Sequence, residues 1–242
     1  MIVLRFFWML LGLVSVGLPL SVSAHWWEFW QKPPMYQHGT EDPAINVQKI
    51  QQQASELSPE ALDLGLAAYQ QARKKGLDQK KILTIVDYSL PSTKKRLWVI
   101  DLKNNKVLYN TWVAHGEQSG DNYATRFSNK NNSRQTSLGA YVTGEPFVGN
   151  LGYSMRLYGV TPGFDTNAYD RNIVVHGAWY VGESTIKQYG HLGYTWGCFG
   201  INPEVLHPII QKIQHGTLLL AYYPDQKLLH TAMLVTTPKD VG

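Results

Sequence analysis

The chain has 242 residues, a single cysteine and a formal net charge of +4. That length suits one large domain, or one domain with an N-terminal extension. The mild positive balance, with no dense basic run interleaved with aromatics, argues against nucleic acid as a partner. A lone cysteine excludes an intramolecular disulfide framework.

Residues 1–24 read as a secretory signal peptide. Arg5 is a weak positive start, an apolar stretch follows from Phe6 to Leu20, and Val22-Ser23-Ala24 offers small residues before a cut ahead of His25. The apolar run is short for a hydrocarbon core about 30 Å thick, which favours cleavage over an uncleaved anchor. No cysteine lies near the cut, so a lipid-modified N-terminal cysteine is excluded. Removing the signal takes away the charge of Arg5 and leaves +3. The expected location is therefore the periplasm or cell envelope.

Residues 25–80 are expected to form an aromatic arm and a helical extension. Trp26, Trp27, Phe29 and Trp30 precede Pro33-Pro34, and the arm is expected to pack on the domain or touch a membrane surface transiently. Ser58 and Pro59 have the chemistry of a helix cap and first turn, and Gly76 after Lys74-Lys75 marks the stop.

From residue 81 the pattern becomes strand-rich, as the 21 glycines and 14 tyrosines also suggest. Strands are predicted over 82–88, 96–101 and 106–113, the last two joined by a turn at 103–106. The polar stretch 119–135 reads as a long loop, a common location for function. Further strands are expected over 138–143, 154–160 and 172–176, then helices over 183–189 and 204–214. Closing strands are expected over 216–223 and 229–236. The order is mostly β with inserted helices, an α+β class rather than an alternating parallel α/β sheet.

Chemistry concentrates on Cys198. A cysteine attacks as its thiolate and needs a nearby base. Asn172-Ile173-Val174-Val175-His176 is a β-branched strand ending in histidine, with Gly177 directly after it. Gly197 leaves the approach to Cys198 open, and the consecutive N–H groups of Trp196, Gly197 and Cys198 have the makings of an oxyanion hole. The bland alternatives are a core histidine and a turn glycine. His115 and His191 fit a substrate cleft better than a metal site, because close ligand spacings such as His-x3-His are missing. No metal or other cofactor is expected. His207, His215 and His230 suit surface or packing positions. No G-x-S-x-G, P-loop or dinucleotide fingerprint is present.

These residues carry a resemblance. His176-Gly177, followed by Thr195-Trp196-Gly197-Cys198, resembles the signature of the murein L,D-transpeptidase catalytic domain (YkuD-type), in its divergent exported bacterial branch. Leu97-Trp98-Val99-Ile100-Asp101, Val113-Ala114-His115-Gly116, Ser137-Leu138-Gly139 and Tyr222-Tyr223-Pro224 are similar to that branch too, so the resemblance spans roughly 82–224. It implies an L,D-transpeptidase-like β-sandwich over 81–242 behind the N-terminal helical extension. It also implies an exported enzyme on peptidoglycan stem peptides, donor and acceptor alike. Cys198 would form an acyl-enzyme, expelling terminal D-alanine. His176 would serve as base and then acid, the Gly177 carbonyl would orient the imidazole, and an amine of another stem or of a lipoprotein would resolve the intermediate. The expected cleft residues are His115, His191, Arg134, Arg156 and Tyr194.

Two positions depart from the common signature: Trp196 replaces histidine, and Gly200 replaces arginine. Only the backbone of Trp196 is needed for an oxyanion hole. The missing arginine leaves carboxylate recognition to Arg134, Arg156 or Arg171. Water as acceptor would make the same site an L,D-carboxypeptidase or cross-link hydrolase. A non-catalytic cell-wall-binding protein is the alternative of a different class, and an unreactive, fully buried Cys198 would favour it.

Overall fold

The computed structural model describes residues 45–231 and 235–238. The signal segment and the aromatic arm lie outside the described residues. Two helices come first, α1 (Val47–Gln53) and α2 (Pro59–Lys74). Ser58 caps α2 by accepting from the Ala61 N–H at 3.4 Å. Gly76, with φ 72°, follows the helix end. The apolar face of α2 packs on the sheet, so Leu62, Leu66 and Tyr69 share one core with Leu83 and Ile85.

Eight strands make one sheet: β1 (Ile82–Asp87), β2 (Leu97–Asp101), β3 (Lys106–Thr111), β4 (Gly139–Gly149), β5 (Gly152–Gly159), β6 (Val174–Gly177), β7 (Phe199–Ile201) and β8 (Leu218–Tyr222). Their order is β3-β2-β1-β8-β4-β5-β6-β7. Helix α3 (Glu183–Tyr189) lies between β6 and β7, α4 (Pro203–Ile213) follows β7, and α5 (Gln226–Thr231) follows β8. β1 is buried along its whole length, as is β8, and both read as continuous apolar runs because both faces are covered.

The sheet curls until its edges nearly meet. Beyond β3, Val113 forms a bridge with Ile201 of β7, and the Ala114 N–H donates to the Gly200 carbonyl at 2.8 Å. This almost closed, mostly β arrangement with inserted helices agrees with the expected class. The predicted sandwich layering comes from one sheet curling, rather than from two hydrogen-bonded sheets.

Arg96 secures the closure. Its side chain is fully buried and donates to Val113 O through Nε and Nη2, at 3.2 and 3.1 Å. It also donates to Leu90 O at 2.8 Å and to His115 Nδ1 at 2.7 Å. Burial lowers its pKa to about 10, so it stays charged at neutral pH.

One predicted element differs. Residues 229–231 belong to α5 rather than to a closing strand, and Thr236 ties back to Val160 O through its N–H at 2.8 Å. Alternating apolar and β-branched residues there suggested a strand, but the Asp225 side chain caps Leu228 at 3.0 Å and starts a helix.

Replacing Arg96 by Met should strand the carbonyls of Leu90 and Val113 in the core. A loss of about 3–5 kcal/mol is expected, read as a lower midpoint in thermal denaturation followed by circular dichroism. A midpoint unchanged from wild type would show that the closure does not depend on this side chain.

Candidate active site

The parallel ladder between β6 and β7 builds the site. His176 pairs with Gly200, and Val175 with Phe199. Continuing the register sets Cys198 beside Val174, two residues from the level of His176. Strand spacing and rise put the two Cα atoms roughly 8 Å apart, a gap that two side chains can span. His176 is also fixed from the other side by pairing with Ser154 of β5.

His176 is 3 % exposed, and its Nδ1 lies 3.0 Å from the Gly177 carbonyl. A carbonyl only accepts, so Nδ1 carries the hydrogen and Nε2 keeps a free lone pair. Burial lowers the imidazole pKa, partly opposed by the Gly177 bond. The ring is therefore neutral at pH 7 and able to take a proton at Nε2.

Cys198 is 9 % exposed. Its thiol donates to the Asn172 carbonyl at 3.5 Å. Burial pushes the thiol pKa up, while a backbone hydrogen bond from Val174 and the positive charge of Arg171 pull it back. The resting pair is thus thiol and neutral imidazole, not thiolate and imidazolium.

The turn before Cys198 is shaped by Thr195. Its hydroxyl donates to Cys198 O at 2.8 Å and accepts from the Gly197 N–H at 3.1 Å. The expected oxyanion hole needs correction here: of the three N–H groups, that of Gly197 is already taken by the Thr195 hydroxyl. Gly197 itself has φ +116°, and a Cβ there would lie 2.7 Å from Gln135 O and 3.0 Å from Arg171 Nη2. No other residue fits without strain.

Gly200 faces Thr195, Ala178 and Ala114, and an added Cβ would lie 3.0 Å from Thr195 Cγ2. A side chain at this position would require Thr195 and Ala178 to shift. Arg171 stands near the thiol instead, but it is spent on the long loop. Its Nη1 donates to Ser128 O at 2.6 Å and to the Ser137 hydroxyl, and its Nη2 to Gln135 O and Ser133 Oγ at 2.6 and 3.2 Å. It acts as a clamp on 128–137 and as a positive charge beside Cys198.

The expected cleft residues separate into four places. Arg134 lies over the Trp196 ring at 4.4 Å, with Nη1 paired to Glu117 at 2.6 Å. Both residues line a cavity of about 510 Å³ with Arg171, Asp170, Asn172 and Asn132. Arg156 packs on Phe147 at 4.4 Å and reaches Asn172 Oδ1 only at 3.5 Å, so it borders the cavity without lining it. His191 stacks on Tyr194 with centroids 5.2 Å apart, and both sit by Asp121 outside that cavity.

His115 is not a cleft residue. It is 1 % exposed, Nδ1 accepts from Arg96, and Nε2 faces Gly120 O at 3.2 Å. Burial and the adjacent guanidinium lower its pKa to about 4, so it is a neutral structural link. Among the described residues, no group of three or more His, Cys, Asp or Glu is placed to hold a metal ion.

Thr195, Asn172 and Asp170 were not singled out from sequence. Thr195 had a signal, since it opens the Thr195-Trp196-Gly197-Cys198 segment that carries the resemblance. Asn172 and Asp170 had none, because they reach the site only through the fold.

With this geometry established, the family model for the L,D-transpeptidase catalytic domain matches residues 53–222. No curated protein matches the chain. Solved structures that it resembles include an L,D-transpeptidase from Mycobacterium smegmatis, at 13% identity and TM-score 0.36, over 59% of each chain. Another is an L,D-transpeptidase from Stackebrandtia nassauensis, at 17% identity and TM-score 0.35, covering 74% of this chain and 77% of that one. A third, from Xylanimonas cellulosilytica, has 12% identity and TM-score 0.35, over 79% of this chain and all of that one. The chain spans 59% of the length of the M. smegmatis structure.

Two outcomes test the site. Alkylation of Cys198 by iodoacetamide should be slow at neutral pH and rise only above the ordinary thiol value of 9.0; a rate plateau already present at acid pH would reveal an ion pair instead. Gly197→Ala should cost about 1–3 kcal/mol in denaturant unfolding. An unchanged unfolding midpoint would mean the turn tolerates a side chain.

Proposed function

The chain belongs to the L,D-transpeptidase catalytic-domain family, and on that premise we propose that it forms a thioester acyl-enzyme through Cys198 on peptidoglycan stem peptides. The observation that carries this reading is the fixed tautomer of His176. Its Nδ1–H is held by the Gly177 carbonyl at 3.0 Å, which leaves the Nε2 lone pair available on a residue that the β6–β7 register sets two positions from the level of the chain's one thiol.

In the first half-reaction, Sγ attacks the carbonyl of an L-centre joined to a D-centre, and the thiol proton passes to His176 Nε2. The negative charge that develops on the carbonyl oxygen is met by the N–H groups of Trp196 and Cys198, since that of Gly197 is engaged by the Thr195 hydroxyl. Collapse breaks the C–N bond, and the departing D-amino acid takes the proton back from Nε2. In the second half-reaction, an amine of another stem attacks the thioester and gives its proton to Nε2. Breaking the C–S bond returns the proton to Sγ and leaves a cross-link. Water in place of the amine gives hydrolysis by the same steps. Rotation of Cys198 away from Asn172 O precedes attack, because the resting thiol hydrogen bond goes there.

Export follows as part of the proposal, from the signal-like segment at 1–24. A second reading, a non-catalytic cell-wall-binding module, is favoured by one specific observation: Cys198 is 9 % exposed and burial raises its pKa.

Intact-protein mass spectrometry after incubation with a carbapenem separates the two. Wild type should gain one adduct, and Cys198→Ala none. His176→Ala should slow adduct formation about 10²–10⁴-fold. A folded, reduced wild-type protein that stays unmodified would favour the binding module.

A further inference from the structure

The loop 128–137 contains no strand or helix, yet it is closed on itself. The Ser128 N–H donates to Thr136 O at 3.0 Å, and the Ser137 hydroxyl donates to Ser128 O at 2.9 Å. One side chain from elsewhere in the chain ties its parts together. The Arg171 guanidinium donates to both ends of the loop, at Ser128 O and the Ser137 hydroxyl. It also donates to Gln135 O at 2.6 Å and to Ser133 Oγ at 3.2 Å. Its Nη2 packs against the turn that carries Cys198 as well. A Cβ on Gly197 would lie 3.0 Å from Nη2 and 2.7 Å from Gln135 O, the carbonyl that Nη2 binds.

The backbone behind this side chain is anchored independently. The Asn172 N–H donates to Tyr169 O and the Ile173 N–H to Ala168 O, each at 2.9 Å. The Asn172 carbonyl accepts from the Cys198 thiol at 3.5 Å. Residues 171 and 172 therefore meet the 197–198 segment from two directions, by side chain and by main chain. β6, which follows them, carries His176.

The loop has other bonds that dock it. Thr136 Oγ1 accepts from the Gly116 N–H at 2.9 Å, the Thr136 N–H donates to Ser119 Oγ at 2.9 Å, and Arg134 O accepts from the Gln118 N–H at 3.2 Å. Neutral donors would pin the loop as well, without the cost of partly burying a cation. What the cation adds is its field. The guanidinium charge favours the ionised form of Cys198. Among the described residues, Tyr88 and Tyr180 also interact with the thiol, but burial raises both phenol pKa values and keeps them neutral, and the His176 ring is neutral too. We propose that Arg171 is a positioning residue for Cys198, and that the loop 128–137 is the seat that holds its guanidinium against the 197–198 turn. The step it assists is the passage of the thiol proton to His176 Nε2, when negative charge appears on sulfur. The inference rests on the proposed chemistry of Cys198 and adds to it the group that steadies the thiolate.

The test is the pH profile of iodoacetamide alkylation, followed by intact mass on the folded full chain. It reads the thiol whether or not the protein acylates. Arg171→Gln should move the profile to higher pH and slow alkylation near pH 8 roughly three- to tenfold. Arg171→Lys should recover most of the rate, because it keeps the charge. It loses the fork, so trypsin should cut the loosened loop after Lys130 and Arg134 faster than in wild type. An unchanged profile in Arg171→Gln, or a shift that Arg171→Lys leaves in full, would reduce Arg171 to a structural clamp and overturn the proposal. Cleavage of Arg171→Lys as slow as that of wild type would show that the loop is not the seat. Should Arg171→Gln fail to fold, wild type decides through the reciprocal effect. The Arg171 Cζ resonance in carbon-detected NMR, identified by its loss in Arg171→Lys, should shift as Cys198 ionises and stay fixed once the thiol is alkylated. A resonance indifferent to the thiol would sink the proposal. Failed carbapenem acylation with a normal Arg171 shift would count against the catalytic reading alone.

Discussion

A single buried guanidinium holds the geometry on which the rest depends. Arg96 comes from the edge of β2 and ties the Val113 and Leu90 carbonyls and the His115 ring into one network. The Val113 segment is what brings the far edge of the sheet around, through the Val113–Ile201 bridge and the Gly116–Thr195 bridge. Thr195 in turn shapes the turn that presents Cys198. A buried charge is costly unless every donor is used. Here the bonds to backbone carbonyls and to a neutral histidine offset the cost, and burial together with the guanidinium charge keeps that histidine neutral.

The same logic of spent and unspent donors separates the arginines near Cys198. Arg171 resembles a substrate binder by position, yet its hydrogen bonds all go to the 128–137 loop. It acts on Cys198 at a distance, as a positive charge that opposes the effect of burial. Arg134 is placed differently, on an exposed tryptophan at the mouth of a cavity. Gly200 is tightly surrounded by Thr195, Ala178 and Ala114, so a side chain there would displace its neighbours. Low exposure of the thiol favours its protonated form at rest.

Much of the fold was legible because its signals are local. The Ser58-Pro59 start and Gly76 stop bracket α2, and helix α3 falls on the predicted residues. Runs of β-branched and aromatic residues mark β1, β2 and β5. The three-residue strand β7 was not legible, because Phe199–Ile201 is too short to show a period. α5 was misread because a side-chain cap outweighed an apolar pattern in a stretch only six residues long. His115-Gly116 looked like site chemistry beside a strand end, but its partner is Arg96, 19 residues away in sequence.

Local residue chemistry was therefore sufficient to single out Cys198, the histidine beside a glycine, the mostly β class with inserted helices, and the glycine that must precede Cys198. Each depends on residue type, near neighbours or a repeating pattern. The tertiary structure alone decided which polar groups are free to act. Arg171 is consumed by Ser128, 43 positions away, and Arg134 is held over Trp196 by a loop that sequence shows only as polar. Whether a donor is spent depends on what long-range packing sets within about 3 Å of it, and no local pattern in the chain records that distance.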